Sequence, residues 1–159
     1  MLFLDTNIIV YYLHGIEPYA TIIETYLQSE ELVTSLRVID EALFTLVRMK
    51  AWRDLGIKRI EDLRKYIESR GYRDFEDVIS SLSEFIERLS VEILRDEGSY
   101  KELVEVATRY NLMPSDALIA ITCRRYGINT IATFDEDFKR VPWLRVVPRT
   151  PALPDAPLR

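Results

Sequence analysis

Two strand-like runs in this chain end abruptly in acid. Leu2-Phe3-Leu4 closes on Asp5-Thr6-Asn7, and Asn129 to Thr133 closes on Phe134-Asp135-Glu136-Asp137. Such runs read as strands of a parallel sheet buried on both faces, and the carboxyl edge of such a sheet is where ligands bind. Acids delivered to that edge by two strands suggest chemistry. With Cys123 the single cysteine and His14 the single histidine, no Cys/His cluster exists for structural zinc, so any metal here is hard and oxygen-bound.

Two further acids stand in helical surroundings. Pro114-Ser115 reads as a helix start that places Asp116 in the first turn, where the helix dipole favours a negative charge. Asp40 and Glu41 lie inside a helix, about 100° apart, so at most one shares its inward face. Each acid also has a structural reading: Asp5 as an N-cap, Asp116 as a dipole partner, Glu41 as a solvated helical acid.

The elements that must position these residues follow from periodicity. A helix carries Ile8, Ile9, Tyr12 and Leu13 and stops at Gly15. A second runs from about Pro18 to Gln28 with Ile22, Ile23, Tyr26 and Leu27 inward. Leu32-Val33-Thr34 is a strand, after which Ser35 caps a helix bearing Leu36, Ile39, Leu43, Leu46 and Val47. Residues 57–89 form two helices joined at Gly71, the second with a stripe of Phe75, Val78, Ile79, Leu82, Phe85, Ile86 and Leu89. That stripe either packs on its own domain or contributes a subunit interface. Val91 to Leu94 is a strand, Ser99 to Glu102 a capping box opening a helix with Leu103, Val104, Ala107 and Tyr110 inward, and Arg145 to Val147 an edge strand. Alternation of strands and helices implies an α/β fold, a parallel sheet of about four to five strands with helices on both faces. Pro148, Pro151, Pro154 and Pro157 recur every three residues, the period of a polyproline II face, although a loose solvated tail is the favoured reading.

Composition narrows the function class. A chain of 159 residues, 48% hydrophobic, suits one domain with a real core. No apolar run approaches the roughly 20 residues of a membrane span, and no signal-peptide pattern opens the chain, so a cytoplasmic protein with no membrane attachment is expected. A net charge of −5 argues against broad nucleic-acid binding, which leaves local basic residues to contact a phosphate backbone: Arg37, Arg48, Arg124, Arg125, Lys139 and Arg140.

Taken together and in order, Leu-Asp-Thr-Asn at 4–7, Ser35 six residues before Glu41, Pro-Ser-Asp-Ala-Leu-Ile-Ala at 114–120 and Ala-Thr-Phe-Asp-Glu-Asp-Phe at 132–138 resemble the PIN-domain ribonucleases, and among them the VapC-type toxins of toxin–antitoxin pairs. The likeness covers roughly residues 2–147, with 57–89 as a helical-hairpin extension. It implies a single PIN-like nuclease domain over 1–147 and a separate tail over 148–159. It further implies that Asp5, Glu41, Asp116 and an acid of the Asp135/Asp137 pair converge on one or two Mg2+ or Mn2+ ions. Thr6, Asn7, Ser35 and Thr133 would support those carboxylates or the scissile phosphate. Of the pair, Asp135 lies at the position relative to its strand that resembles Asp5, which leaves Asp137 the accessory acid. The activity implied is metal-dependent cleavage of single-stranded RNA by a homodimer, held in check by a small antitoxin protein.

Other readings compete. An aspartyl-phosphate phosphatase needs a second acid two positions after its nucleophile, where Asn7 stands. A metal-free PIN-like module that binds RNA or protein would not need every acid position filled. A PIN nuclease of RNA processing differs from a toxin in role rather than in residues. A metal-free ribonuclease usually needs two proton-transfer groups, often histidines, and His14 alone cannot fill both roles.

Overall fold

The computed structural model describes residues 1–17, 19–27 and 31–148. Pro18 and Gln28, expected at the ends of the second helix, and all but the first proline of the tail lie outside those residues. Five parallel strands, β1 (Leu2–Leu4), β2 (Leu32–Ser35), β3 (Glu92–Leu94), β4 (Thr130–Ala132) and β5 (Arg145–Val147), make one sheet in the order β3-β2-β1-β4-β5. Register pairs Phe3 with Val33 on one side and with Ile131 on the other. Strand order therefore reverses at β1, and the crevice of a parallel sheet opens at that reversal. Every residue of β1, β2 and β4 is buried, the polar Thr34, Ser35 and Thr130 included, as in a sheet covered on both faces; the edge strands β3 and β5 are half-exposed.

Among the described residues seven α-helices cover the sheet: α1 (Thr6–Leu13), α2 (Tyr19–Leu27), α3 (Leu36–Leu55), α4 (Ile60–Arg70), α5 (Glu76–Arg88), α6 (Tyr100–Tyr110) and α7 (Pro114–Arg125). α1 packs on α2 and α3, α3 on α5, and α6 on α7. Gly71 closes α4 with φ of 70°, a left-handed value that suits a residue without Cβ. The capping box at Ser99 and Glu102 is present, with both reciprocal hydrogen bonds.

The stripe of α5 belongs to the core. Phe75, Val78, Leu82 and Phe85 are buried, and the Phe85 ring meets Tyr12 of α1 at 5.4 Å between centroids. The subunit-interface reading of Phe85 is thereby set aside, because the stripe already has its partners in α1 and α3. Two other inward assignments are corrected. Leu36, the first residue of α3, is exposed before the helix reaches the core, and on α6 Val106 is buried while Val104 is exposed. Only Leu63 of α4 is buried, and an open groove lined by Phe44, Val47, Ile60 and Ile67 remains between α3 and α4.

Candidate active site

Asp5 is set by the end of β1. Its extended backbone makes it the N-cap of α1, and its Oδ1 accepts a 2.7 Å hydrogen bond from the Thr6 amide. Its Oδ2 accepts from Thr133 Oγ1 at 2.6 Å and from Asn7 Nδ2 at 2.9 Å. The network continues into the loop after β4: Thr133 Oγ1 accepts from the Asp135 amide at 2.9 Å, and Asn7 Oδ1 accepts from the Phe134 amide at 3.0 Å. Cap and site are one residue, so the two readings of Asp5 are compatible.

The other acids reach the same place from different elements. Asp5, Asn7, Tyr11, Glu41, Asp116 and Asp135 share the lining of an open cleft of about 670 Å³ at the carboxyl edge of the sheet, together with Thr6, Val10 and Thr45. α7 supplies Asp116 from its first turn, as expected, after Pro114 at the helix start. α3 brings Glu41 one turn beyond Arg37, whose guanidinium lies 3.2 Å from Glu41 Oε2 and 2.9 Å from Asp40 Oδ2. Asp40 stays solvated. Asp135 is the N-cap of a short 3-10 helix, Glu136–Arg140, with its Oδ1 accepting from the Asp137 amide. Asp137 does not line the cleft, and its carboxylate is paired with Arg140.

Charge at this cleft is unfavourable as it stands. Burial pushes the Asp5 carboxyl up to about 7, against the pull of the Thr133 and Thr6 hydrogen bonds, and the charges of Asp116 and Glu41 add to the rise. Asp116 is raised to about 6 by burial, then by Asp135, Glu41 and Asp137. Repulsion between carboxylates of this kind is relieved by a cation. The donors are all oxygen, which suits Mg2+ or Mn2+. Among the described residues no three acidic side chains stand ready to ligate a single ion, so the arrangement suits an ion held by one or two carboxylates and water.

Ser35 departs from expectation. It is the N-cap of α3 by position, yet its side chain makes no cap bond, and its buried hydroxyl has no partner. Asp96 takes over the cap from the loop after β3, its Oδ2 accepting from the Arg37 amide at 3.0 Å. A contact between residues this far apart in the chain leaves no local signal. Thr6 contributes its amide rather than its hydroxyl, which is also without a partner. Tyr11 and Thr45, which line the cleft, were not singled out by sequence reasoning; both lie on helix faces that read as ordinary packing. His14 is half-buried, is not part of the cleft, and is held below its ordinary pKa by burial and by Arg53. Of the basic candidates, Arg124 and Arg125 pair with Glu102, Lys139 with Glu136, and Arg37 alone among the described ones meets an acid of the cleft.

Known proteins resemble this chain over most of its length. The PIN domain family model matches residues 2–144. Ribonuclease VapC2 of Methanocaldococcus jannaschii is 34% identical over 149 residues, 92% of each chain. Ribonuclease VapC6 of the same organism is 32% identical over 111 residues, 69% of this chain and 71% of that one. Among solved structures, VapBC2 from Rickettsia felis, bound to a DNA fragment from its promoter, superposes with a TM-score of 0.57 at 21% identity, over 92% of this chain and 97% of that chain.

Proposed function

The chain belongs to the PIN-domain family, and from that premise we propose that it is a VapC-type endoribonuclease, the toxin of a toxin–antitoxin pair, which hydrolyses single-stranded RNA with Mg2+ or Mn2+. The observation that carries this reading is the cleft itself. Four carboxylates from four separate elements line one crevice at the switch point of the sheet, and two of them are lifted toward neutrality by burial and mutual repulsion. A purely structural set of caps would have no need to gather there.

Asp5 and Asp116 would hold the ion, with Asp135 and Glu41 completing the set directly or through water. A divalent ion held there supplies Lewis acidity toward the phosphoryl oxygen and a water of lowered pKa. The protein's own part is orientation. Thr133, Asn7 and the Thr6 amide fix both oxygens of Asp5, and the tie from Thr133 to the Asp135 amide keeps the loop after β4 in register with β1. Asp137 tunes Asp116 by its charge while Arg140 holds it aside.

The names of the relatives support a small antitoxin partner, as in the VapBC2 pair. No helix among the described residues is long and apolar enough to cross a membrane, and we place the activity in the cytoplasm, where its RNA substrate is found. A homodimer remains part of the reading and would use a surface other than the α5 stripe. The deciding experiment incubates single-stranded RNA with the protein and Mn2+, with and without EDTA, and maps the new ends. Attack of water on phosphorus gives 5′-phosphate and 3′-hydroxyl ends and stops in EDTA; cleavage undiminished by EDTA, or 2′,3′-cyclic phosphate ends, overturns it.

A further inference from the structure

Arg37 stands where the acids of the cleft meet solvent. Its amide is tied to Asp96 Oδ2, and its guanidinium, one third exposed, is divided between Asp40 and Glu41. Of these two acids only Glu41 lines the cleft. Pairs this exposed contribute little, and an Arg placed four residues before a Glu is in the less favourable helical order. Glu41 therefore holds the guanidinium loosely. Arginine presents a planar fork of donors that matches two oxygens of a phosphate as well as it matches a carboxylate. A chain of net charge −5 with an acidic cleft repels a polyanion unless a cation stands beside the reacting bond.

We propose that Arg37 is the phosphate grip of this cleft: it is parked on Glu41 in the empty protein and passes to a non-bridging oxygen of the RNA backbone when Glu41 turns to the divalent ion. The inference rests on the ribonuclease reading and makes a claim that reading does not. Ion and guanidinium compete for one carboxylate, so loss of Arg37 acts on metal binding and on RNA binding with opposite signs. A residue that merely braces α3 would weaken both or neither.

The test is two titrations of the full chain, each with Arg37→Gln, Arg37→Lys and Lys65→Gln, an exposed control on α4 outside the cleft. Mn2+ is titrated without RNA by calorimetry. A fluorescent single-stranded oligoribonucleotide is titrated by anisotropy over a range of salt, in an Asp116→Asn background that does not cleave. Arg37→Gln should bind Mn2+ more tightly and RNA about tenfold more weakly, with a salt slope smaller by about 0.7, the value for one phosphate contact on a single strand. Arg37→Lys should retain the slope and recover part of the affinity, and Lys65→Gln should resemble the parent in both titrations. Unchanged or weaker Mn2+ binding in Arg37→Gln, or RNA binding indistinguishable from Lys65→Gln, overturns the assignment while the ribonuclease reading stands. A parent protein that takes up Mn2+ but binds no RNA overturns both.

Discussion

Thr133 Oγ1 donates a 2.6 Å hydrogen bond to Asp5 Oδ2 across 128 positions of chain. The same hydroxyl accepts from the Asp135 amide, so one side chain fixes both the acid at the end of β1 and the loop that carries the acid after β4. Thr133→Val preserves shape and removes both contacts. We expect a loss of about 1–3 kcal/mol from the unpaired buried groups. Because this hydrogen bond lowers the Asp5 pKa, we also expect Asp5 to titrate higher still and Mn2+ affinity near neutrality to fall. Thermal melts and calorimetry check this, and Thr133→Ser should restore both.

Removing charge from the cleft should separate catalysis from stability. Asp116→Asn should abolish cleavage and raise the melting temperature of the metal-free protein, since it relieves repulsion from Asp135 and Glu41. Asp5→Asn should abolish cleavage with little change in stability, because relief is offset by the loss of an acceptor in the Thr133 and Asn7 network. Asp5→Ala should cost about 1–2 kcal/mol through loss of the cap as well. A large drop in melting temperature for Asp116→Asn would make that acid structural.

Stability should depend on pH with a sign set by Asp5. Its folded value of about 7 lies above the ordinary 3.8, so between these limits the native state keeps a proton that the unfolded chain has released. Its contribution is full below the ordinary value and is lost as pH rises through the folded one, on the order of 4 kcal/mol in all. Asp116, raised to about 6, acts in the same direction. His14, lowered by burial and Arg53, acts oppositely and contributes stability that is lost as pH falls through its folded value. The comparison of wild type with Asp5→Asn isolates the aspartate. The metal-free wild type should lose melting temperature relative to the variant between about pH 5 and about pH 7.5, and parallel melting curves would contradict the assignment.

Asp135 and Asp137 should differ in weight. Asp135 lines the cleft and heads the acids that raise Asp116, whereas Asp137 is held by Arg140 and comes last among them. Asp135→Asn should therefore weaken Mn2+ affinity and cleavage more than Asp137→Asn. Calorimetry on both variants decides it, and a larger loss with Asp137→Asn would exchange their roles.

Much of this was legible along the chain because it is local. Leu2–Leu4, residues 32–34 of β2 and Thr130–Ala132 are short runs of apolar and β-branched residues, each followed by a polar residue, so periodicity and punctuation find them. Ser99 and Glu102 announce their box at fixed spacing. The acids of the cleft were found by order and resemblance, since each has an ordinary explanation alone. What stayed hidden depends on long-range contact: Asp96 capping α3 in place of Ser35, and Phe85 meeting Tyr12. An amphipathic stripe states that a face must be covered, while its partner is a property of the fold.

The pairing of Phe3 with Ile131 has a consequence in time. The middle strand of the sheet is made first during synthesis and receives one of its two neighbours only after most of the chain has followed. Closing so long a loop is slow, although its entropic cost grows by only about 0.6 kcal/mol per doubling of length. No shorter nascent chain contains the cleft, because Asp116 and Asp135 arrive last. On the ribonuclease reading, the enzyme can first cut RNA only when the ribosome has passed the codon for Asp135 on the enzyme's own message.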